Sequence, residues 1–274
     1  MRSDLHVHST ASDGTLTPSE LVELAALNGV RLIALADHDT VAGLAEATEA
    51  GLNLNVTVIP ALELSAAAGD RSVHILGYFI DIENVALLSE LELLRAGRLR
   101  RASGIVSALQ DAGLEISMER VLALAAGGSV GRTHVARALV EAGHADTVSD
   151  AFERFVGRGK PFYRPKDLRT PSDVVRLIRA AGGLAVLAHP GVSGTEGLID
   201  ELVAHGLAGI EAYHVDHTDA QRSHFARMAT DRGLLVTGGT DYHSPDAPHP
   251  GIGAVLLPEG AITAFMEAGE MCTV

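Results

Sequence analysis

The hydrophobic and polar positions along this chain follow two rhythms. In the first part, short apolar runs predict strands at residues 4–8, 31–36, 56–65 and 72–79, with a Gly69-Asp70 turn between the last two. Helical patterns lie between them. Thr17-Pro18-Ser19-Glu20 is a helix start: Thr as N-cap, Pro at the first helical position, Glu three residues after the cap. That helix is predicted to run to about Asn28, where Gly29 stops it. A second helix is predicted over residues 40–50. From about Val85 to Arg164 the pattern is helical throughout. Leu87, Leu88, Leu91, Leu94 and Leu99 open a long helix ending near Gly113, and shorter ones are predicted at 118–126, 133–142 and 147–156. Alternation resumes at Thr170-Pro171-Ser172-Asp173, another capped start. Strands follow at 184–188, 209–213, 234–238 and 253–257.

This order predicts an α/β fold in which residues 1–84 and 165–274 form one domain and residues 85–164 an inserted helical subdomain. Strand–helix alternation with apolar strands implies a parallel sheet. A ring of strands gathers residues from the first to the last strand at one mouth, so a barrel is expected, with its chemistry at the C-terminal strand ends. No internal repeat and no low-complexity tract interrupts it.

Composition narrows the class. A chain of 274 residues can bury a large core, and its 47% hydrophobic residues never run near the ~20 needed to span a bilayer. The N-terminus enters a strand at once, so no signal peptide is expected. The single cysteine, Cys272, excludes a disulfide framework and a cysteine-based zinc site. A cytoplasmic protein is predicted. The net charge of −14 argues against duplex nucleic acid as a partner. That charge is uneven: residues 95–169 hold 13 of the 21 lysines and arginines but 8 of the 35 acidic residues. Such a basic segment in an acidic chain meets an anion or forms a solvated helical surface.

The chemistry lies in histidines and carboxylates at strand-like segments. They are Asp4-Leu5-His6-Val7-His8, Ser12-Asp13-Gly14, Ala36-Asp37-His38-Asp39, Leu62-Glu63-Leu64, Val73-His74-Ile75, Ala188-His189-Pro190 and Thr240-Asp241-Tyr242-His243. His6 and His8, two apart on a strand, face one side. Six of the 13 histidines sit in or at the end of apolar strands, with Asp13, Glu63 and Asp241 in like positions. Burying so many ionisable groups without a metal is costly, and mixed imidazole and carboxylate donors suit Zn²⁺, Mn²⁺ or Fe²⁺.

On these residues the chain resembles the PHP (polymerase and histidinol phosphatase) superfamily, over essentially its whole length. It is most similar to the TrpH-like subgroup, which includes phosphatases of nucleotide 3′,5′-bisphosphates and 5′-end ribonucleases and carries a helical insertion in the same place. The resemblance implies a distorted (β/α)7 barrel holding two to three divalent metals (Mn, Fe or Zn). Carried over, it implies His6, His8, Glu63 and Asp241 around a first metal. Glu63 would bridge to a second completed by His74 and His189, and Asp13, His38 and His243 would hold a third. Many family members have His at the Asp13 position; Asp there fits the subgroup. Two metals about 3.5–4 Å apart can share a water, lower its pKa and aim the hydroxide at phosphorus. No protein nucleophile is required, and the sequence has neither a Gly-x-Ser-x-Gly elbow nor a phosphate loop.

Gly131-Arg132-Thr133-His134 opens a predicted helix with Thr133 as cap. A helix start beside an Arg suits phosphate. The subgroup has a similar Arg-Thr-His segment, which implies that Arg132 and His134 face the substrate; Gly159-Lys160-Pro161 adds Lys160. Glu211, Tyr213, His214 and His217 follow another strand end. His214 is a substrate-binding candidate. His217 matches a subgroup histidine that could protonate the leaving oxygen or orient substrate. His144, His205, His224 and His249 are read as structural or solvated, and Arg95, Arg98 and Arg101 as one solvated helix face, with tracking of a nucleic-acid strand as the alternative. The expected activity is hydrolysis of a nucleotide phosphate monoester, best fitted by a 3′,5′-bisphosphate giving a 5′-monophosphate. Alternatives are a 5′→3′ exonuclease on short RNA, a histidinol-phosphate-like phosphatase, and a non-catalytic metal module that binds partners.

Overall fold

The computed structural model describes residues 1–165, 168–245 and 250–272. Seven strands form one sheet in chain order: β1 (Ser3–Val7), β2 (Leu32–Leu35), β3 (Thr57–Ala68), β4 (Arg71–Tyr78), β5 (Leu184–Leu187), β6 (Gly209–His214) and β7 (Leu235–Gly239). The sheet curls until its ends meet. Val7 bridges Tyr242 just past β7, and the His8 N–H donates to the Tyr242 carbonyl at 2.9 Å. The Asp4 carboxylate strengthens this seam by accepting from the Thr240 N–H and hydroxyl and from the Gly253 N–H. The result is a nearly closed α/β barrel.

The sheet is not wholly parallel. β3 and β4 form a hairpin, so β4 runs against both β3 and β5, while every other pairing is parallel. A turn as tight as Gly69-Asp70 can join only antiparallel strands, and Gly69 takes the positive φ of 56° that this turn needs. The expected strand at 253–257 is absent. Gly253 is left-handed at φ 79° and its N–H is committed to Asp4, so this backbone cannot enter a ladder.

Helices α1 (Pro18–Leu27) and α2 (Leu44–Leu54) cover the outer face of β1 and β2. Leu21, Val22 and Ala25 of α1 and Leu44 and Ala47 of α2 pack on Val7, Ile33 and Leu35. The capping box at Thr17 and Glu20 forms as the sequence predicts. α2 starts later than expected because the Thr40 hydroxyl accepts the Ala42 N–H and holds a turn there. Inside the barrel, alternate residues of five strands, including Leu5, Ala34, Ile59, Tyr78 and Val186, join Ile262 and Phe265 of the last helix (Glu259–Cys272) in one cluster.

Between β4 and β5 come α3 (Val85–Asp111), α4 (Met118–Leu124), α5 (Arg132–Glu141) and α6 (Val148–Ala151), the last continued by a π-helical turn at Phe152–Val156. Helix α5 begins at Arg132 with Gly131 as its cap, not Thr133. Leu87, Leu91 and Leu94 of α3 belong to the cluster that covers β3, β4 and α7 (Pro171–Ala180). The second half of α3 joins α4 to α6 in a separate cluster around Ile105, Leu109, Val121, Val135 and Leu139. No described helix is long and apolar enough to cross a membrane.

Candidate metal centre

The barrel mouth gathers the nine predicted metal-ligand residues. His6 comes from β1, His8 from just after it, Glu63 from the middle of β3, and Asp241 from just after β7. The Nε2 atoms of His6 and His8 lie 3.4 Å from Glu63 Oε2 and 3.3 and 3.0 Å from Asp241 Oδ1. All four donor atoms are within 4.8 Å of one another. Each is buried, and none has a hydrogen-bond partner. Buried polar atoms are almost always paired, so four orphans converging on one point fit a cation.

Glu63 also reaches beyond this group. Its Oε1 is 2.8 Å from His74 Nδ1 and 3.1 Å from His189 Nε2, and its Oε2 is 2.9 Å from His38 Nδ1. His74 departs from the rule of C-terminal strand ends. It is the fourth residue of β4, and it reaches the mouth because β4 runs backwards and pairs it with Ser65. A third group joins Asp13 and His243, 3.2 Å apart at Oδ1 and Nε2, to His38 Nε2 at 4.0 Å and to the edge of His8. His38 therefore lies between the second and third groups. Asp39, His189 and Asp241 have positive φ of 53°, 28° and 50°. Such backbone costs about 1–3 kcal/mol per residue and is typical of functional sites.

Four buried carboxylates support the cage from behind. Asp37 accepts the Ser9 N–H and the hydroxyls of Ser9 and Ser12, which fixes the loop to Asp13. Asp4 closes the seam beneath Asp241. Asp39 accepts the Ser65 N–H and pairs with Arg98 at 2.5 Å. Glu211 accepts His6 Nδ1–H at 3.0 Å and the His189 N–H at 2.8 Å. Because an ionised carboxylate only accepts, Glu211 holds the His6 proton on Nδ1 and leaves Nε2 free to face the cage. Likewise His243 Nδ1–H donates to the Asp241 carbonyl and frees its Nε2. The roles of these acids escaped the sequence reading, although the acids themselves stand in or beside the quoted motifs.

The charges are strongly coupled. Burial pushes the Glu63 carboxyl up, but the surrounding imidazoles, His74 first, hold it well below the usual carboxylate range. Burial likewise opposes ionisation of Asp241 and Asp13, and their histidine neighbours outweigh it. His8 goes the other way: burial, then the neighbouring His243, pushes it down to about 3. A neutral imidazole among ionised carboxylates is the donor set a hard or borderline divalent cation accepts.

The remaining candidates are placed less uniformly. His214 is buried beside the cage. Its Nδ1 accepts the Asp216 N–H, so Nε2 carries the proton and points at Asp241 Oδ2, 3.6 Å away. His217 is not free to give or take a proton. Its Nδ1–H donates to the Ala212 carbonyl and its Nε2 accepts the Gly191 N–H, so it holds the turn that carries His189. His134 is also corrected as a substrate contact: it is 1% exposed, its Nδ1 accepts the Gly131 N–H, and its ring hydrogen-bonds the Ser12 backbone.

Arg132 stands over the rings of Phe152 and Tyr163 and opens onto a cleft of about 640 Å³. Lys160 is exposed in the adjoining turn, where Arg158 and Gly159 line the cleft instead. The solvated arginine face is also corrected. Arg98 is buried against Asp39, and Arg101 donates to the Arg164 carbonyl and stacks on Tyr163. His205 contacts Arg176 and His224 pairs with Glu196 at the surface. His144 is near the Glu115 carbonyl; His249 lies outside the described residues.

An α/β barrel with such a cage at its mouth defines a metal-dependent hydrolase. The PHP domain model matches residues 4–158, and the chain belongs to the PHP domain family, whose members are metal-dependent hydrolases of phosphate esters. It is 37% identical over 248 residues to a 3′,5′-nucleoside bisphosphate phosphatase of Chromobacterium violaceum, covering 88% of this chain and 87% of that one. It is 37% identical over 247 residues to a 5′-3′ exoribonuclease of Haemophilus influenzae (88% and 90%). It is 38% identical over 261 residues to a phosphoribosyl 1,2-cyclic phosphate 1,2-diphosphodiesterase of Eggerthella lenta (92% and 98%).

Proposed function

We propose that this chain hydrolyses the 3′-phosphate of a nucleotide 3′,5′-bisphosphate to give a 5′-monophosphate. The observation that carries this reading is the cleft lined by Arg71, Arg101, Arg132 and Arg158. It adjoins the cage through Ser72, whose hydroxyl is 3.5 Å from His74 Nε2. None of these four arginines is in an ion pair among the described residues. Burial, then the adjacent Arg132, pushes Arg101 down to about 10. Among the described residues one acid, Asp70, lines the cleft against these four arginines, so the cleft is short of negative charge. A second phosphate supplies it, with bidentate donors already grouped.

The residues fit divalent metal, with manganese, iron and zinc all compatible with the donors. We assign His6, His8, Glu63 and Asp241 to a first ion, Glu63, His74 and His189 to a second, and Asp13, His38 and His243 to a third. Bound there, the ions would activate water and take charge from the phosphoryl oxygens. The protein's own part is to bind, orient and donate hydrogen bonds. Arg132 and Arg101 bind the distal phosphate. His214 keeps an Nε2–H at the cage, where it can donate a hydrogen bond to a phosphoryl or leaving oxygen. His134 and His217 position the loops that carry Asp13 and His189.

A 5′→3′ exonuclease reading draws support from one feature. The arginine cleft shares Arg101, Pro165 and Leu168 with a further cleft of about 300 Å³ lined by Arg98, Arg100 and Arg164, room for a following phosphate. The test is phosphate release by manganese-loaded protein from adenosine 3′,5′-bisphosphate, with AMP and a short 5′-phosphorylated RNA in parallel. Rapid release from the bisphosphate, lost in Asp241→Asn, is expected. Faster turnover of the RNA would favour the exonuclease, and no release from any of the three would overturn both.

A further inference from the structure

The inserted helices do more than line the cleft: α5 grips the loop that carries Asp13. Thr133 Oγ1–H donates to Asp13 Oδ2 at 3.0 Å. One turn along the same helix face, Arg137 donates to the Asp13 carbonyl at 2.6 Å. Just before α5, the Ser129 N–H donates to the Ala11 carbonyl. The loop cannot yield from below. A Cβ on Gly14 would stand 2.4 Å from the His8 carbonyl oxygen, and Asp37 holds Ser9 and Ser12.

This leaves the Asp13 carboxylate with one soft coordinate, rotation about its terminal torsion, whose energy wells are broad and roughly two-fold. Thr133 fixes that rotation. With Oδ2 occupied, Oδ1 is the oxygen presented to His243 and His38, buried and without a hydrogen-bond partner. The first group owes nothing to the insertion: its donors and their supports, Glu211 and Asp4, all lie on the barrel.

We propose that Thr133 is a positioning residue through which the insertion sets the cation affinity of the Asp13, His38 and His243 group, leaving the other groups untouched. This rests on reading that group as a cation site. Supporting hydrogen bonds to ligating carboxylates are worth about 10- to 100-fold in metal affinity.

The experiment is equilibrium dialysis of chelator-stripped full-length protein against graded Mn²⁺ with metal analysis, for the wild type, Thr133→Val and Thr133→Ser. Valine keeps the shape and removes the hydroxyl; serine restores it. The wild type is expected to fill three equivalents. Thr133→Val should weaken one class at least about tenfold, with Thr133→Ser close to wild type. The unchanged tighter classes report that the variant is folded. A valine variant that fills all classes like the wild type overturns the proposal and leaves the metal reading standing. Equal weakening of every class also overturns it, by making the role generally structural. A wild type that binds no more than two ions removes the third site, and one that binds none removes the metal reading itself.

Discussion

Replacing Glu211 with Gln should impair the metal centre although Glu211 is not among the proposed metal ligands. Its two oxygens accept from two fixed donors, His6 Nδ1–H and the His189 N–H. An amide has one acceptor oxygen, so its NH₂ must face one of these donors. If it faces His6, the ring proton moves to Nε2, the atom aimed at Glu63 and Asp241, and the lone pair meant for the cation is lost. If it faces His189, a buried backbone N–H is left unpaired on a residue already held at positive φ. Loss of such a supporting carboxylate costs about 10- to 100-fold in metal affinity, or about 1.4–2.7 kcal/mol at 1.36 kcal/mol per tenfold. The metal-free protein should also lose about 1–3 kcal/mol for the unsatisfied donor. Competition for Mn²⁺ against a chromophoric chelator measures the first quantity, and denaturant unfolding of the stripped protein the second. A Gln variant that binds Mn²⁺ within twofold of wild type would refute the claim that Glu211 sets the His6 tautomer.

Arg132→Ala should raise KM for adenosine 3′,5′-bisphosphate by about 10- to 100-fold, as expected for a lost charged hydrogen bond of about 1.5–3 kcal/mol, while leaving turnover of a simple aryl monophosphate within about twofold; equal losses on both substrates would contradict the cleft assignment. His217→Gln should lower kcat and thermal stability without changing the shape of the pH–rate profile, since both ring nitrogens are engaged; loss of one limb of the profile would make His217 an acid or base after all. Arg98→Met strands the buried Asp39 carboxylate and should destabilise the fold by about 3–5 kcal/mol, and a loss under about 1 kcal/mol in urea unfolding would show that the pair is dispensable. Stripping the metal should lower Tm, and restoring Mn²⁺ at about a hundred times its Kd should return about 2.7 kcal/mol per site, read by thermal unfolding with and without the ion.

The residues gathered at the barrel mouth were legible because strand ends announce themselves. His6 and His8 stand two apart in an apolar run, and Asp241 and His243 follow another. Glu211 has no such signature. A single Glu in Gly209–His214 looks like any polar strand residue, and its partner His6 is 205 positions away. Arg98 misled for a related reason. Its spacing with Arg95 and Arg101 matches a solvent-facing stripe, and only its long-range bond to Asp39 reveals burial. The helix starts at Thr17 and Thr170 were readable because caps are local. The direction of β4 was implicit in Gly69-Asp70, yet a rule of alternating strands and helices hid it, and with it the reason His74 reaches the mouth early in its strand. For His217 the sequence revealed the position but not the company: a neutral imidazole already holding two backbone groups has no proton to trade.

The seam at Asp4 carries a consequence for the order in which this enzyme comes into being. Asp4 and its partner Thr240 are 236 positions apart, and Asp241 sits beside that partner. During synthesis, His6, His8 and Glu63 emerge together and can assemble with their strand neighbours, but their fourth companion, Asp241, arrives only after the inserted helices and strands β4 to β7 have been made. Contacts this distant in sequence form slowly. The nascent chain therefore passes through a stage with three of the four donors exposed and no closing strand. On the proposed assignment, the first group is complete only when β7 docks against β1.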